Sequence, residues 1–477
     1  MRQEDVRVAK KAALAVPELT GRGPHVSPRA SCCVWSSRGG RDSCPYSTFW
    51  VYFVYPLSKG VYQKSEFAGR LGACLQCPFV GIPPPPLFRD VDLTMAQVLE
   101  INRIDELTAF RQNWDDLLDR TRGASFFQSL PWLEVYWRHF GAGQRLRTLV
   151  VLDEGQPVGI LPLVVRREKT KVGWLRILTL PLHDWGSFYG PVGPNPALTL
   201  IAGLKHIRCT QRDWDILDLR WQGAVDTDPD DIQRAMLTTG FQAYPTEWER
   251  TAIVDLDGTW ESYWASRKGA WLRRFRRAER KLSEQGDVTY VRYRPTGAIH
   301  DDGSPRWDLY DTCEEIARRS WQNTAENGTT LSDAEVRGFF REAHEVAATA
   351  GAVDLSLLLL DGRPVAFIYG YHYHGYAYGL RRGYDPERTR QGAGNVLLAY
   401  TLRDCFARGD HVYDLGVGSP ESKRHFQTRV IPVLRFSHFP PSALRAQAMR
   451  VKRWWQGRRL PVFTAVGRVQ DGVTDPR

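Results

Sequence analysis

No stretch of this 477-residue chain is apolar for long enough to cross a bilayer, and the charged opening from Arg2 to Lys11 is not followed by a signal-type core. A cytoplasmic protein is therefore expected. Cysteine is scarce wherever the chain is well patterned. Cys32, Cys33, Cys44, Cys74 and Cys77 all precede Met95, which leaves only Cys209, Cys313 and Cys405 beyond it. Standing singly in predicted helices, those three suit small core residues and exclude a disulfide framework. Cys74-Leu75-Gln76-Cys77 has metal-knuckle spacing, but no second pair follows it, so no metal is expected. A large surplus of one charge is missing too. The net charge of +10 suits acidic small molecules, anionic surfaces or nucleic acid without choosing among them.

What is present begins late. Residues 1–94 are loop-like, rich in Gly, Ser and Pro, and end in Pro83-Pro84-Pro85-Pro86 with no sustained helical period. Met95 is expected to be the true start, with the preceding stretch a low-order extension or translated upstream sequence. Regular patterning then divides into a lobe over 95–250, a second over 251–440 and a basic tail over 441–477. The apolar positions Ile104, Leu107, Trp114 and Leu118 predict one helix; Pro131 opens the next and Gly141 closes it.

The stretch from Leu355 to His425 is the most informative. It reads as an apolar hairpin turning at Asp361-Gly362-Arg363-Pro364, then aromatic strands through Tyr369, Tyr371 and Tyr373 and on to Tyr384-Asp385. Gln391-Gly392-Ala393-Gly394-Asn395 opens a predicted helix from Val396 to Ala407, and His411-Val412-Tyr413-Asp414-Leu415 reads as a further strand. Strand, glycine turn, helix, strand is an anion-binding order, because the first helical turn holds N–H groups without partners and the positive end of the macrodipole. The same order occurs upstream. Leu149 to Ile160 is similar to Leu357 to Phe367, and a Gly190-Pro191-Val192-Gly193 turn, a helix from Ala197 to Cys209 and the strand Trp214 to Leu219 follow. Two lobes of one design are the simplest account.

Three further features stand out. The loop Leu182 to Gly190 is polar and aromatic, with Asp184 and Trp185 as candidate substrate contacts. Arg267 to Lys281 carries eight cations, yet Trp271, Phe275, Ala278 and Leu282 form a stripe at helical spacing, so one side packs and the other is cationic. That side, with Arg273 and Arg277, suits an acidic ligand between the lobes or nucleic-acid phosphates. Trp307 to Gln322 predicts a helix with Tyr310, Cys313, Ala317 and Trp321 inward; Trp321 is a further candidate substrate contact. Ser332-Asp333-Ala334-Glu335 predicts the cap of another helix. The run Ala443 to Arg459, in which Met449, Val451, Trp454 and Trp455 alternate with Arg and Lys, predicts a helix that docks on the domain or touches a membrane surface.

Helix, helix, hairpin, strand, Gly turn, helix, strand is the order of the GNAT acyltransferase fold. The tandem pair with a cationic helix between its halves resembles the FemAB/CelD branch, and most of all the CelD-like, BioF-type acetyltransferases. The resemblance rests on Phe126 to Leu133, Trp271 to Gly286, Tyr384-Asp385-Pro386, Gly392-Ala393-Gly394-Asn395-Val396-Leu397-Leu398, Asp414-Leu415-Gly416-Val417-Gly418 and Lys423. The chain departs from that family in having Gly392-Ala393-Gly394 in place of Ser-Pro-Gly, and Ser422 in place of a tyrosine before the lysine. Thr389 also stands where the GNAT consensus has Arg or Gln.

The resemblance implies an α/β fold of two tandem GNAT-like lobes with mixed sheets. It implies transfer of an acyl group, expected to be acetyl, from acyl-CoA to an amine or hydroxyl of a small metabolite, saccharide or envelope-polysaccharide precursor. Gly392, Ala393, Gly394, Asn395 and Lys423 would bind the cofactor. Proton-transfer candidates are Asp414, Tyr384, Asp385, His372 and His374. An aminoacyl-tRNA-dependent transferase is the alternative that would use the cationic helix, and a non-catalytic accessory of polysaccharide synthesis is another.

Overall fold

Val353 to Leu360 is apolar at almost every position, as a strand covered on both faces must be, and the segment is buried along six of its eight residues. The computed structural model describes residues 97–181, 190–223, 228–320, 331–389, 392–417 and 423–457. The first lobe runs β1 (Gln97–Ile101), α1 (Arg111–Asp119), α2 (Leu130–Phe140), β2 (Arg145–Asp153), β3 (Gln156–Thr170), β4 (Gly173–Thr179), α3 (Pro196–Cys209), β5 (Ile216–Gln222), α4 (Pro229–Thr238) and β6 (Tyr244–Asp255). The second runs α5 (Trp260–Ala265), α6 (Gly269–Ser283), β7 (Val288–Tyr293), α7 (Trp307–Arg319), α8 (Arg337–Thr349), β8 (Val353–Leu360), β9 (Arg363–Tyr373), β10 (Tyr376–Tyr384), α9 (Ala393–Arg408) and β11 (Val412–Asp414). The strand β12 (Arg429–His438) and the helix α10 (Leu444–Gly457) close the chain.

The internal repeat is visible in the backbone. The β2–β3 turn holds Glu154 and Gly155 at φ 47° and 79°, and the β8–β9 turn holds Asp361 and Gly362 at 49° and 72°. Two successive positive φ values make a turn whose twist matches that of the flanking strands. All twelve strands form one sheet, in the order β1-β2-β3-β4-β5-β12-β6-β11-β10-β9-β8-β7. Among its pairs only β4–β5 and β10–β11 are parallel. The last strand does not stay with its own lobe. β12 lies between β5 and β6, and β6 in turn pairs with β11, so each lobe is closed by a strand from the other half. This is the α/β tandem architecture expected.

Period two sorts the second lobe's side chains into two layers. Leu355, Leu357, Phe367, Tyr369 and Tyr371 meet α7 and α8, whereas Leu358, Val365, Ala366 and Ile368 meet α6 and α9. Phe126, Phe127 and Trp132 from the first lobe enter the former layer. Phe126 lies 4.8 Å from Tyr371 and Trp132 lies 5.2 Å from Phe339, centroid to centroid.

Beneath α9 the core is ionic. Arg292 bonds Asp354 at 2.7 Å and Asp404 at 2.8 Å, and Arg294 bonds Asp410 at 2.6 Å. Removing one member of a buried pair strands the other without solvation. Asp354→Ala is therefore expected to cost about 3–5 kcal/mol, read as a lowered urea midpoint in equilibrium unfolding.

Candidate active site

β10 and β11 run side by side for three residues only. Tyr376, Ala377 and Tyr378 pair with Val412, Tyr413 and Asp414, after which β10 continues to Tyr384 with β9 on one edge and no described strand on the other. The divergence has local causes. A bulge between Gly379 and Arg381 bends β10, and the Tyr413 hydroxyl would lie 2.9 Å from any Cβ at Gly379. After Asp414 the chain turns away at Gly416, whose φ of 76° favours glycine. Leu415 N–H bonds the Ala252 carbonyl at 2.8 Å, and Lys423 Nζ holds the Gly416 and Val417 carbonyls at 2.6 Å each. A notch opens between the two strands. From Tyr378 to Tyr384 it is about 20 Å long, at ~3.3 Å per residue.

Asp414 stands at the apex of the notch. Its carboxylate is buried, accepts a hydrogen bond from the Thr251 hydroxyl and accepts Gly416 N–H at 2.7 Å. Burial pushes its pKa above the ordinary carboxylate value, against those bonds and the attraction of Lys423. Burial and the neighbouring Arg382 in turn hold the Lys423 ammonium down at about 8. Burial likewise lowers Arg381, to about 10, and Arg382 beside it.

The first lobe holds a carboxylate in the corresponding place. Asp218 lies one residue past the last β4–β5 pair and accepts the Ser437 hydroxyl of β12 at 2.5 Å, whereas Asp414 is the last β11 residue paired with β10 and accepts from Thr251 of β6. The charge environments are opposite. Burial works against ionised Asp218 as well, but Arg220, Arg435 and Arg453 surround it and hold it far below the usual range. Environments that push two equivalent carboxylates apart leave only one suited to proton transfer.

At the open end of the notch lies the N-terminus of α9. Gly392, at φ 126°, is its cap, and a Cβ there would come within 2.9 Å of the Ala278 methyl on α6. Gly394 differs. A Cβ there would make only ordinary contact with the Tyr384 ring at 3.9 Å, so packing does not demand glycine and the backbone lies bare. Asn395 is exposed, but its N–H bonds back to the Gly392 carbonyl at 2.9 Å. Among the described residues neither Ala393 nor Gly394 N–H has a backbone acceptor, but Ala393 is fully buried and only the half-buried Gly394 amide can meet an anion. The first lobe opens its helix differently, although Ala197 and Leu198 N–H there also lack a backbone acceptor among the described residues. There Val192 bridges to Ile160, Gly193 N–H bonds Thr121 Oγ1 at 2.7 Å, and Pro196 removes a donor from the first turn of α3.

Of the remaining sequence candidates, Tyr384 lines the open end, beside Gly394. Asp385 is buried, receives Glu387 N–H at 3.0 Å, and has Arg319 and Arg388 each at 3.4 Å, so it builds the turn beyond β10. His372 lies apart from the other candidates. It pairs with Ala377, about 23 Å along β10 from Tyr384, near Asp410 past the far end of α9; strand alternation alone could not reveal which end faces the turn. His374 sits in the β9–β10 turn, 3.3 Å from Asp119 of the first lobe. Arg273 and Arg277 are exposed on α6, and with Arg274, Arg276 and Lys281 they have no carboxylate partner among the described residues. Asp184, Trp185 and Trp321 lie outside the described residues, and the described residues contain no cluster able to hold a metal ion. Thr251 was not foreseen, for nothing in the sequence links it to an aspartate 163 positions away.

Residues 270–424, which contain this notch, match the family model described as acetyltransferase (GNAT) domain. No curated protein matches the chain. Among solved structures the chain is similar to FemX, at 14% identity and TM-score 0.51 over 74% of this chain and 99% of that one. It is also similar to L-PGS from Bacillus licheniformis (14%, TM-score 0.45, 73% and 97%) and to a tandem GNAT protein from the clavulanic acid biosynthesis pathway (14%, TM-score 0.38, 73% and 99%). At these identities the likeness is one of fold.

The pKa of Lys423, about 8 against an ordinary 10.5, fixes the sign of a pH dependence of stability. Between those values the unfolded chain binds the additional proton, so this group makes stability rise with pH across that window. Lys423→Met is expected to flatten the rise, as urea midpoints at about pH 7.5, 9 and 10 would show.

Proposed function

We propose that the chain is an acyl-CoA-dependent acyltransferase whose single donor site is the β10–β11 notch of the second lobe. The observation that carries this reading is the alignment of one groove with two ends: the Gly394 amide at one, the buried Asp414 carboxylate, which has no arginine ion-pair partner among the described residues, at the other. The dimensions agree. The twelve bonds from a phosphate oxygen to the sulfur of pantetheine reach about 14 Å by backbone-like geometry, which leaves room for the pyrophosphate within the ~20 Å notch.

In this reading Gly394 donates to the pyrophosphate, with the α9 dipole behind it and the cations of α6 nearby. The thioester supplies an activated carbonyl. Asp414 accepts the proton leaving the attacking amine or hydroxyl and returns it to the CoA thiolate released as the C–S bond breaks; Thr251 and Gly416 N–H orient its carboxylate, and Lys423 braces the turn that presents it. Tyr384 lines the donor end. The acceptor is a small metabolite or an envelope-polysaccharide precursor, and a cytoplasmic setting fits such a donor.

A second reading is favoured by the unneutralised cations of α6: a transferase that takes its acyl group from aminoacyl-tRNA. A tRNA gel shift that weakens steeply with salt, with no response to CoA, would select it.

Thermal unfolding of the full chain with CoA and acetyl-CoA tests the first reading. Stabilisation of about 2.7 kcal/mol is expected at roughly a hundredfold excess over Kd. Gly394→Val should abolish that shift and leave the unliganded melting temperature nearly unchanged, while Gly392→Ala should destabilise the fold itself. Asp414→Asn should keep the CoA shift and lower kcat by about 10²–10⁴-fold. A Gly394→Val protein that binds CoA normally would remove the site from α9, and a chain that binds neither CoA nor tRNA would point to the accessory role.

A further inference from the structure

The helix α10 has two unlike faces. Ala446 and Met449 are buried against Leu175, Ile177, Ile216 and Phe439 of the first lobe. Arg450 bonds the Tyr244 hydroxyl at 3.0 Å and Arg453 bonds Ser437 Oγ at 2.6 Å on the same side. Opposite this anchored face, Leu444, Ala448, Val451 and Trp455 follow at steps of four, three and four, which aligns them in one stripe along the helix. Leu444 is 84% exposed, Val451 58% and Trp455 56%, with Trp454 beside them at 55%. Arg445 and Lys452, seven residues apart, border the stripe, and Lys171 of the β3–β4 turn lies close enough to repel the Lys452 ammonium. No Asp or Glu occurs from Phe439 to Gly457.

We propose that this face of α10 lies in the plane of an anionic phospholipid bilayer, with the apolar stripe entering the acyl boundary and the bordering cations meeting the headgroups. The chemistry selects that occupant. A surface offering apolar depth beside negative charge matches a stripe edged by cations and free of acids, and tryptophan suits the boundary between them. Too little surface is present for a second copy. A stripe about 20 Å long and one side chain wide covers on the order of 300 Å², against the ~800 Å² per partner of a stable interface. Within the described residues no helix is long and apolar enough to cross the bilayer, so contact in the plane is what α10 can provide.

Flotation of the full-length protein with phosphatidylcholine vesicles, with and without about one-third phosphatidylglycerol, tests this. The wild type is expected to float with the anionic vesicles and not with the neutral ones, and tryptophan emission should shift to the blue on binding. V451E/W455E should lose binding tenfold or more. R445E/K452E should also weaken binding and reduce its dependence on salt, which keeps the test open if the first variant misfolds. The proposal is overturned if the wild type ignores anionic vesicles, if either double variant floats as the wild type does, or if the V451E/W455E change instead splits a solution dimer and leaves vesicle binding intact.

Discussion

The early parting of β11 from β10 is the constraint on which the candidate site depends. A strand that paired along its full length with β10 would satisfy that edge and close the groove. Instead β11 ends at Asp414, where the carboxylate takes the Gly416 amide, Gly416 adopts a left-handed backbone, and Lys423 ties down the next two carbonyls. Each of these bonds satisfies a polar group that ladder pairing would otherwise have claimed. The unpaired edge of β10 and the buried carboxylate are thus products of one turn.

The duplicated design shows what differs between two lobes of one plan. Exchange of β6 and β12 across the middle of the sheet places a hydroxyl from a remote strand against each equivalent carboxylate. In the first lobe arginines crowd Asp218 and hold it ionised, and prolines and backbone bonds occupy the turn before α3. In the second, Asp414 has no guanidinium in an ion pair among the described residues and the turn before α9 leaves the Gly394 amide without a backbone acceptor. From the first lobe, Phe126, Phe127 and Trp132 fill the core behind the strands of the second.

The gap between sequence and structure was widest where residues meet across long separations. Alternation along β9 sorts His372 from Tyr371 by face, but not by distance from the glycine turn, and the histidine lies at the end of β9 remote from that turn. The glycines of 392–394 look alike in sequence. Only the packing of α6 shows that Gly392 answers to Ala278 and to its own positive φ, while Gly394 answers to nothing in the fold. Lys423 is legible as a cation beside the closing strand; that its ammonium holds carbonyls of that strand's own turn is not.

What the amino-acid order determined by itself is local and periodic. Two hairpins with paired positive-φ turns, the layering of β8 and β9, a cationic helix with one apolar stripe and a glycine-opened α9 all follow from spacing, because each depends on neighbours within a few turns or strands. Tertiary structure decided which of two matching carboxylates is left without arginine, which amides stay open, and how strands from opposite ends of the chain close each lobe. Those outcomes rest on burial and on charges brought together from more than a hundred residues away, and a carboxylate's proton affinity is a property of that assembled surrounding.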